Sequence, residues 1–418
     1  MTVETLPSPF KGLASFQDTE LDALLFFGRE REREIVLANL MASRLTVLYG
    51  ASGVGKTSLL RAAVAHSLRS VPDSTVVVFS SWAGDPARGL REAIDEAAGI
   101  EASGTLVEVL GAVGGDVYVI LDQFEEYFLY ERNGAGPGFA GELAAAIREP
   151  GLPANFLLGM REDALAKLDA FKTRIPNLFG NYLRLDHLDR QGGREAIVRP
   201  LARYGELGGE AVSAEPELVE AVLDQVETGR VDQGMGRGGV AAGEGQIETP
   251  YLQLVMQRLW EEERAEGSSK LRLATLERLG GAERVVAEHL ERALGTLTSD
   301  ERDEAARVFN HLVTPSGTKI AHGLDDLAKY AAAPQEEVRE VVEGLTRARV
   351  LRPVAAPDDP RGVRFEIFHD VLAPAVLAWR LRHESERALV RERQEGRRRQ
   401  RRFLLVLDTC DAQPAATA

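Results

Sequence analysis

The chain has 418 residues, and at about 100–200 residues per domain this allows two to four domains. Apolar residues make up 44% and charged residues 28%, which excludes a collagen-like, disulfide-scaffold or wholly disordered chain. With 50 basic against 65 acidic side chains the formal charge is −15, a poor balance for a general nucleic-acid binder.

Cys410 is the sole cysteine, so no intrachain disulfide or cysteine-built metal site can form. This fits a reducing, cytoplasmic setting. The start, MTVETLPSPF, lacks the pattern of a signal peptide. No apolar run approaches the ~20 residues that span a bilayer, so no transmembrane segment is expected.

In chain order, residues 1–9 are polar and proline-bearing and read as a flexible N-terminus. Apolar β-like runs follow at Leu45–Gly50, Thr75–Ser80, Val117–Leu121, Asn155–Gly159 and Tyr182–Leu185. Helical periodicity lies between them, at about 86–98, 104–113 and 139–148. Strands apolar on both faces, alternating with helices, predict a parallel sheet covered on both sides. After residue 190 helices dominate, interrupted by a glycine-rich loop at 229–247 and resuming at TPYLQLVMQRLWEEER. From about 300, a helix, a short strand at Lys319–His322, helices at Asp325–Ala332 and Gln335–Arg347, and two β-like runs around APDDPRG give the order of a winged helix. Residues 381–402 then carry nine arginines against four glutamates. The expected divisions are 10–195, 196–285, 286–380 and a tail at 381–418.

The strongest chemical signal is Gly50-Ala51-Ser52-Gly53-Val54-Gly55-Lys56-Thr57, followed by Ser58. It matches G-x-x-x-x-G-K-[ST] between a predicted strand and a predicted helix, the context that marks a P-loop. Its backbone N–H groups would cradle phosphate oxygens, helped by the helix N-terminus. Lys56 would reach the β- and γ-phosphates, and the Thr57 hydroxyl would ligate Mg2+. Asp122 emerges from the end of the apolar run VYVIL, where an α/β sheet places ligand chemistry, and would hold Mg2+ through water. A plain strand-end cap is the other reading of Asp122.

Position 123 is glutamine, so a glutamate directly after the aspartate is missing. Glu125, or else Glu126, is left to activate water, unless both belong to an exposed acidic loop. Slow hydrolysis is expected in either case. Arg161 ends the run NFLLGMR, which would aim its guanidinium at the same sheet edge to sense a γ-phosphate. A surface ion pair with Glu162 or Asp163 is the alternative.

PFKGLASFQ, FFGRE, GASGVGKTSLLRA, ILDQFEE, GMRED, TPYLQLVMQRLWEE and FEIFHDVLAPAVLAW occur in the order of the novel STAND NTPases, and the resemblance covers about residues 9–380. These are signal-transduction P-loop ATPases related to apoptotic and plant-immune nucleotide switches. The resemblance implies an AAA-like α/β P-loop NTPase fold, with an additional strand, followed by a helical lid and a winged helix. It implies ATP/ADP with Mg2+ as the bound species. It also implies that Phe27 and Gly28 lie near the adenine, that Pro250 packs on the base, and that Arg161 reads the γ-phosphate. Phe368-His369-Asp370 resembles the family's Met-His-Asp motif, in which His369 would bind the β-phosphate of ADP and lock a closed state. A structural hydrogen-bonding role for His369 stays open.

The P-loop module begins near residue 10 and little follows residue 380, so the expectation is a switch core without its own effector or repeat sensor. Self-assembly and protein partners are implied. DNA binding through the winged helix or the arginine-rich tail is an alternative. Glu336, Glu337, Glu340 and Glu343 on the candidate recognition helix would repel phosphate. A nucleotide-binding scaffold that never hydrolyses is a third reading.

Overall fold

Five apolar runs pair into one parallel sheet in the computed structural model of the chain. The structure describes residues 6–82, 84–130, 138–208, 210–227, 245–315, 317, 319–355 and 363–411. The expected glycine-rich loop lies outside them except at 245–247, as do residues 1–5 and the turn at 356–362. The strands are Leu45–Gly50 (β1), Ser74–Phe79 (β2), Asp116–Leu121 (β3), Ala154–Arg161 (β4) and Tyr182–Arg184 (β5). Their order is β2-β3-β4-β1-β5. β4 therefore sits between the P-loop strand and the Asp122 strand, and the fold is an α/β P-loop fold of the AAA-like, additional-strand kind. The register sets Gly50 beside Arg161, so the P-loop, Asp122 and Arg161 all leave the sheet at one edge.

Both sheet faces are buried, which explains why the strands read as continuous apolar runs. Val47, Val119 and Phe156 join a core with the helices Pro86–Ala98, Leu106–Ala112 and Gly138–Arg148. Their strand neighbours Leu48, Ile120 and Leu157 point the other way. They pack on the helix Glu30–Ala42 and on the helical run after the P-loop. That run is α over Lys56–Ser58, π over Leu59–Ala65 and α again over His66–Arg69.

A third core joins distant parts of the chain. Phe10, Leu13 and Phe16 pack with Tyr251, Trp260 and Leu372. The Phe10 and Trp260 rings meet edge to face at 6.5 Å. Ser213–Ala214 (β6) and Lys270–Leu271 (β7) form a small parallel pair beside this core. The expected divisions at 195, 285 and 380 fall inside the helices Arg190–Glu206, Gly281–Gly295 and Ala373–Asp411, so each helix ties one stretch to the next.

The C-terminal core gathers Phe309, Leu327, Val341 and Trp379. Its helices Ser299–Leu312, Leu324–Ala331 and Gln335–Arg347 adjoin an antiparallel sheet. That sheet is made of His322–Gly323 (β8), Leu351–Ala355 (β9) and Val363–Ile367 (β10), in the order β8-β10-β9. The strand expected over Lys319–His322 is shorter: Lys319 makes a single bridge to Val313, and only His322 and Gly323 pair with β10. The chain then runs as one helix over Ala373–Asp411, and no helix among the described residues is long and apolar enough to cross a membrane.

Candidate functional site

The shared sheet edge opens into a cavity of about 650 Å³, walled by the P-loop, the segment around Phe16 and the β9–β10 hairpin. Ser52, Gly53, Val54, Gly55, Lys56, Thr57 and Ser58 all line it. So do Phe27, Asp122, Glu125, Arg161, Pro250 and His369. Gly28, Gly50 and Ala51 do not. Gly28 instead lies against Gly192, where a Cβ would come within 2.3 Å of the Gly192 carbonyl oxygen. Close approach of two backbones, at φ 89°, requires glycine there.

Lys56 Nζ donates to the carbonyl oxygens of Gly50 at 2.9 Å and Ala51 at 2.7 Å. Burial pulls its pKa down to about 8, although Glu125 favours the charged form. The Thr57 hydroxyl donates to Asp122 Oδ1 at 3.3 Å. Asp122 Oδ2 is buried and makes no hydrogen bond; Arg61 Nε is 3.7 Å away. Burial raises the Asp122 pKa against the pull of Arg61 and Thr57. A threonine hydroxyl beside an unsatisfied buried carboxylate oxygen suits a hard cation that keeps most of its waters, such as Mg2+. Among the described residues no group of three or more His, Cys, Asp or Glu could hold a metal, so such a cation would depend on phosphate and water as well.

Gln123 occupies a left-handed turn at φ 56° and is exposed, and it lines the cavity together with Glu125 and Glu126. Glu125 Oε2 accepts the Arg161 backbone N–H at 3.1 Å. Burial raises the Glu125 pKa. Burial, with Glu125 and Asp122 close by, pushes Glu126 up to about 7. Arg161 makes the ion pair with Asp163 that is its alternative reading, and it lines the cavity as well. Its guanidinium grips Asp163 through two bonds of 3.1 and 2.7 Å.

His369 is 5% exposed and packs on the P-loop itself. A Cβ added to Gly53, at φ 83°, would fall 2.1 Å from His369 Nε2. The Val371 N–H donates to Nδ1 at 3.3 Å, so a neutral ring carries its proton on Nε2, the nitrogen against the loop. At the apolar end, the Arg199 guanidinium lies 4.4 Å over the Phe27 ring, and Pro250 opens the helix Thr249–Ala265. The Ser58 hydroxyl accepts the Phe16 N–H at 3.2 Å, so it pins the N-terminal segment to the helix behind the loop.

Three site residues escaped the sequence reading. Arg29, 5% exposed, donates to the carbonyls of Val54 at 3.0 Å and Asp186 at 2.7 Å, bracing the P-loop from behind. Its signal was an arginine inside FFGRE next to an apolar run. Arg352 and Glu366 are a cross-strand pair on β9 and β10, and the Arg352 guanidinium reaches Ser52 Oγ at 3.3 Å. Nothing local in the sequence marks that pair.

The family model described as Novel STAND NTPase 1 matches residues 9–403. No curated protein matches the chain. Among solved structures, the Aeropyrum pernix ORC2 protein in its ADPNP–ADP complexes is 16% identical. The match covers 86% of this chain and 95% of that one, at a TM-score of 0.46. The Aeropyrum pernix ORC1 protein in complex with DNA is 15% identical over 89% of this chain and 97% of that one, at 0.48. Cdc6p from Pyrobaculum aerophilum is 14% identical over 85% and 94%, at 0.40.

Proposed function

The chain belongs to the novel STAND NTPase 1 family, and on that premise we propose that it is an ATP/ADP-controlled switch with slow Mg2+-dependent hydrolysis. The observation that carries this reading is the seating of His369 on Gly53, because it couples the C-terminal unit to the loop that would cradle phosphates.

In the proposed closed form ADP lies between the sheet edge, the lid helix Thr249–Ala265 and the C-terminal unit, which we read as a winged helix. Phe27 and Pro250 would flank the base. The P-loop amides and Lys56 would hold the β-phosphate, with His369 Nε2 donating from the other side. Thr57 and Asp122 would hold Mg2+, which when bound neutralises phosphate charge. Arg161 would read the γ-phosphate, and exchange for ATP would weigh its contacts and those of Lys56 against the His369 contact. Turnover would be slow because burial biases Glu125 and Glu126 toward the neutral form, and a neutral carboxyl cannot take a proton from water. Release of the C-terminal unit would then permit self-assembly.

The exposed face of Gln335–Arg347 carries Glu336, Glu337, Glu340 and Glu343, which supports protein partners over duplex DNA.

The test is a pair of variants. Lys56→Ala should abolish tight ADP and ATP binding, measured by calorimetry. His369→Ala should speed ADP release and raise the assembled fraction in light scattering. Undiminished affinity in the first, or no change in either readout in the second, would sink the reading.

A further inference from the structure

One carboxylate oxygen in the wall of the cavity serves three cations from three parts of the chain. Glu366 Oε1 on β10 accepts from Arg352 Nε of β9 at 2.8 Å. The same atom lies 3.3 Å from Lys319 Nζ and 3.7 Å from an Arg161 guanidinium nitrogen on β4. Glu366 is 7% exposed, so solvent screens these contacts little. Burial opposes its charge, yet Lys319, Arg352 and Arg161 outweigh burial and hold the carboxyl below its usual range. Arg352 also reaches Ser52 of the P-loop, so the cluster touches the phosphate end of the cavity on two sides.

A terminal phosphate and Glu366 are both anions, and both suit Nη1 of Arg161, the guanidinium nitrogen that the two bonds to Asp163 do not use. We propose that Glu366 determines specificity for the phosphate state of the nucleotide: it engages Arg161 and Arg352 in the closed form, and a triphosphate must displace it whereas a diphosphate need not. This rests on the reading of the cavity as a nucleotide site with Arg161 as its γ-phosphate group. Glu366 acts through the arginines, so it is a positioning residue. Its charge belongs to the C-terminal unit, so displacing it would loosen that unit in the same step.

The experiment is calorimetric titration of the full chain with MgADP and with the Mg2+ complex of a non-hydrolysable ATP analogue. Glu366→Gln removes the charge at nearly constant shape. The ratio of triphosphate to diphosphate affinity should rise about tenfold, within the usual 5–150-fold span of coupled effects. The same substitution in an Arg161→Gln background should change the ratio less than threefold, because the guanidinium assigned to the γ-phosphate is gone and only Arg352 still responds to Glu366. A merely structural role would weaken both ligands together and leave the ratio alone.

Glu366→Asp is the second variant, in case the glutamine form does not fold. It keeps the charge but withdraws the carboxylate from Arg161, and should raise the ratio about threefold by partial relief of the same coupling. An unchanged ratio in whichever variant folds overturns the proposal. Wild-type protein that binds neither nucleotide would instead remove the nucleotide-site reading beneath it.

Discussion

Replacing Gly53 with alanine attacks the point where the C-terminal unit meets the P-loop. Two costs are separable. At φ 83° an alanine is in a region that L-residues pay about 1–2 kcal/mol to enter. Its Cβ would also sit 2.1 Å from His369 Nε2 and 2.7 Å from Cδ2, far inside van der Waals contact, and forcing a filled site apart costs about 1–3 kcal/mol. In nucleotide-free protein Gly53→Ala should therefore lose about 2–5 kcal/mol, the sum of those two ranges. Repeated in a His369→Ala background, which clears the imidazole, only the backbone part of about 1–2 kcal/mol should remain. Urea unfolding of the four proteins of this cycle gives the coupling directly. An equal cost of Gly53→Ala in both backgrounds would refute the seating of His369 on the loop.

Further outcomes follow from the electrostatics and the bracing of the loop. Because burial holds the Lys56 pKa near 8 and bound phosphate would restore its proton, nucleotide affinity should be level below pH 8 and fall about tenfold per unit above it, as seen by titration from pH 7 to 10. Glu126, raised to about 7, binds an extra proton in the folded state between its ordinary value and 7. Its neighbourhood thus loses stability as pH rises through that window. Glu126→Gln should be the more stable protein at pH 8, by at most about 3 kcal/mol, with the gap closing near pH 4.5 in urea unfolding curves. Arg29→Met should strip two loop carbonyls of their donor and cost about 2–4 kcal/mol, with weakened ADP binding; stability and affinity within error of wild type would count against that brace.

The fold class was legible because the strands bury both faces, so Val117–Leu121 and its companions stand out as unbroken apolar runs between helical periods. Gln335–Arg347 appears with its expected bounds, since Val338, Val341, Val342 and Leu345 repeat at helical spacing. Ser52 to Ser58, Asp122, Glu125 and Arg161 line one cavity because their motifs end strands or open a helix at a common sheet edge, and Pro250 and His369 reach it from the helix Thr249–Ala265 and the end of β10. Long-range pairing was not legible. Phe10 and Phe16 look like the start of the sheet domain but bury themselves against Tyr251 and Trp260, more than 200 residues later. Arg29 finds Val54 and Asp186, and Glu366 finds Lys319, Arg352 and Arg161, only after four segments meet. Such contacts depend on tertiary placement and leave no periodicity in the chain.

The most direct measurement is the identity and amount of nucleotide carried by the purified protein. The chain would be denatured and the supernatant resolved by chromatography against ADP and ATP standards, with protein concentration measured in parallel. A closed switch predicts ADP at close to one per chain in the wild type and none in Lys56→Ala. A wild-type protein that releases no nucleotide, and takes up none when ADP and Mg2+ are added, would contradict the account.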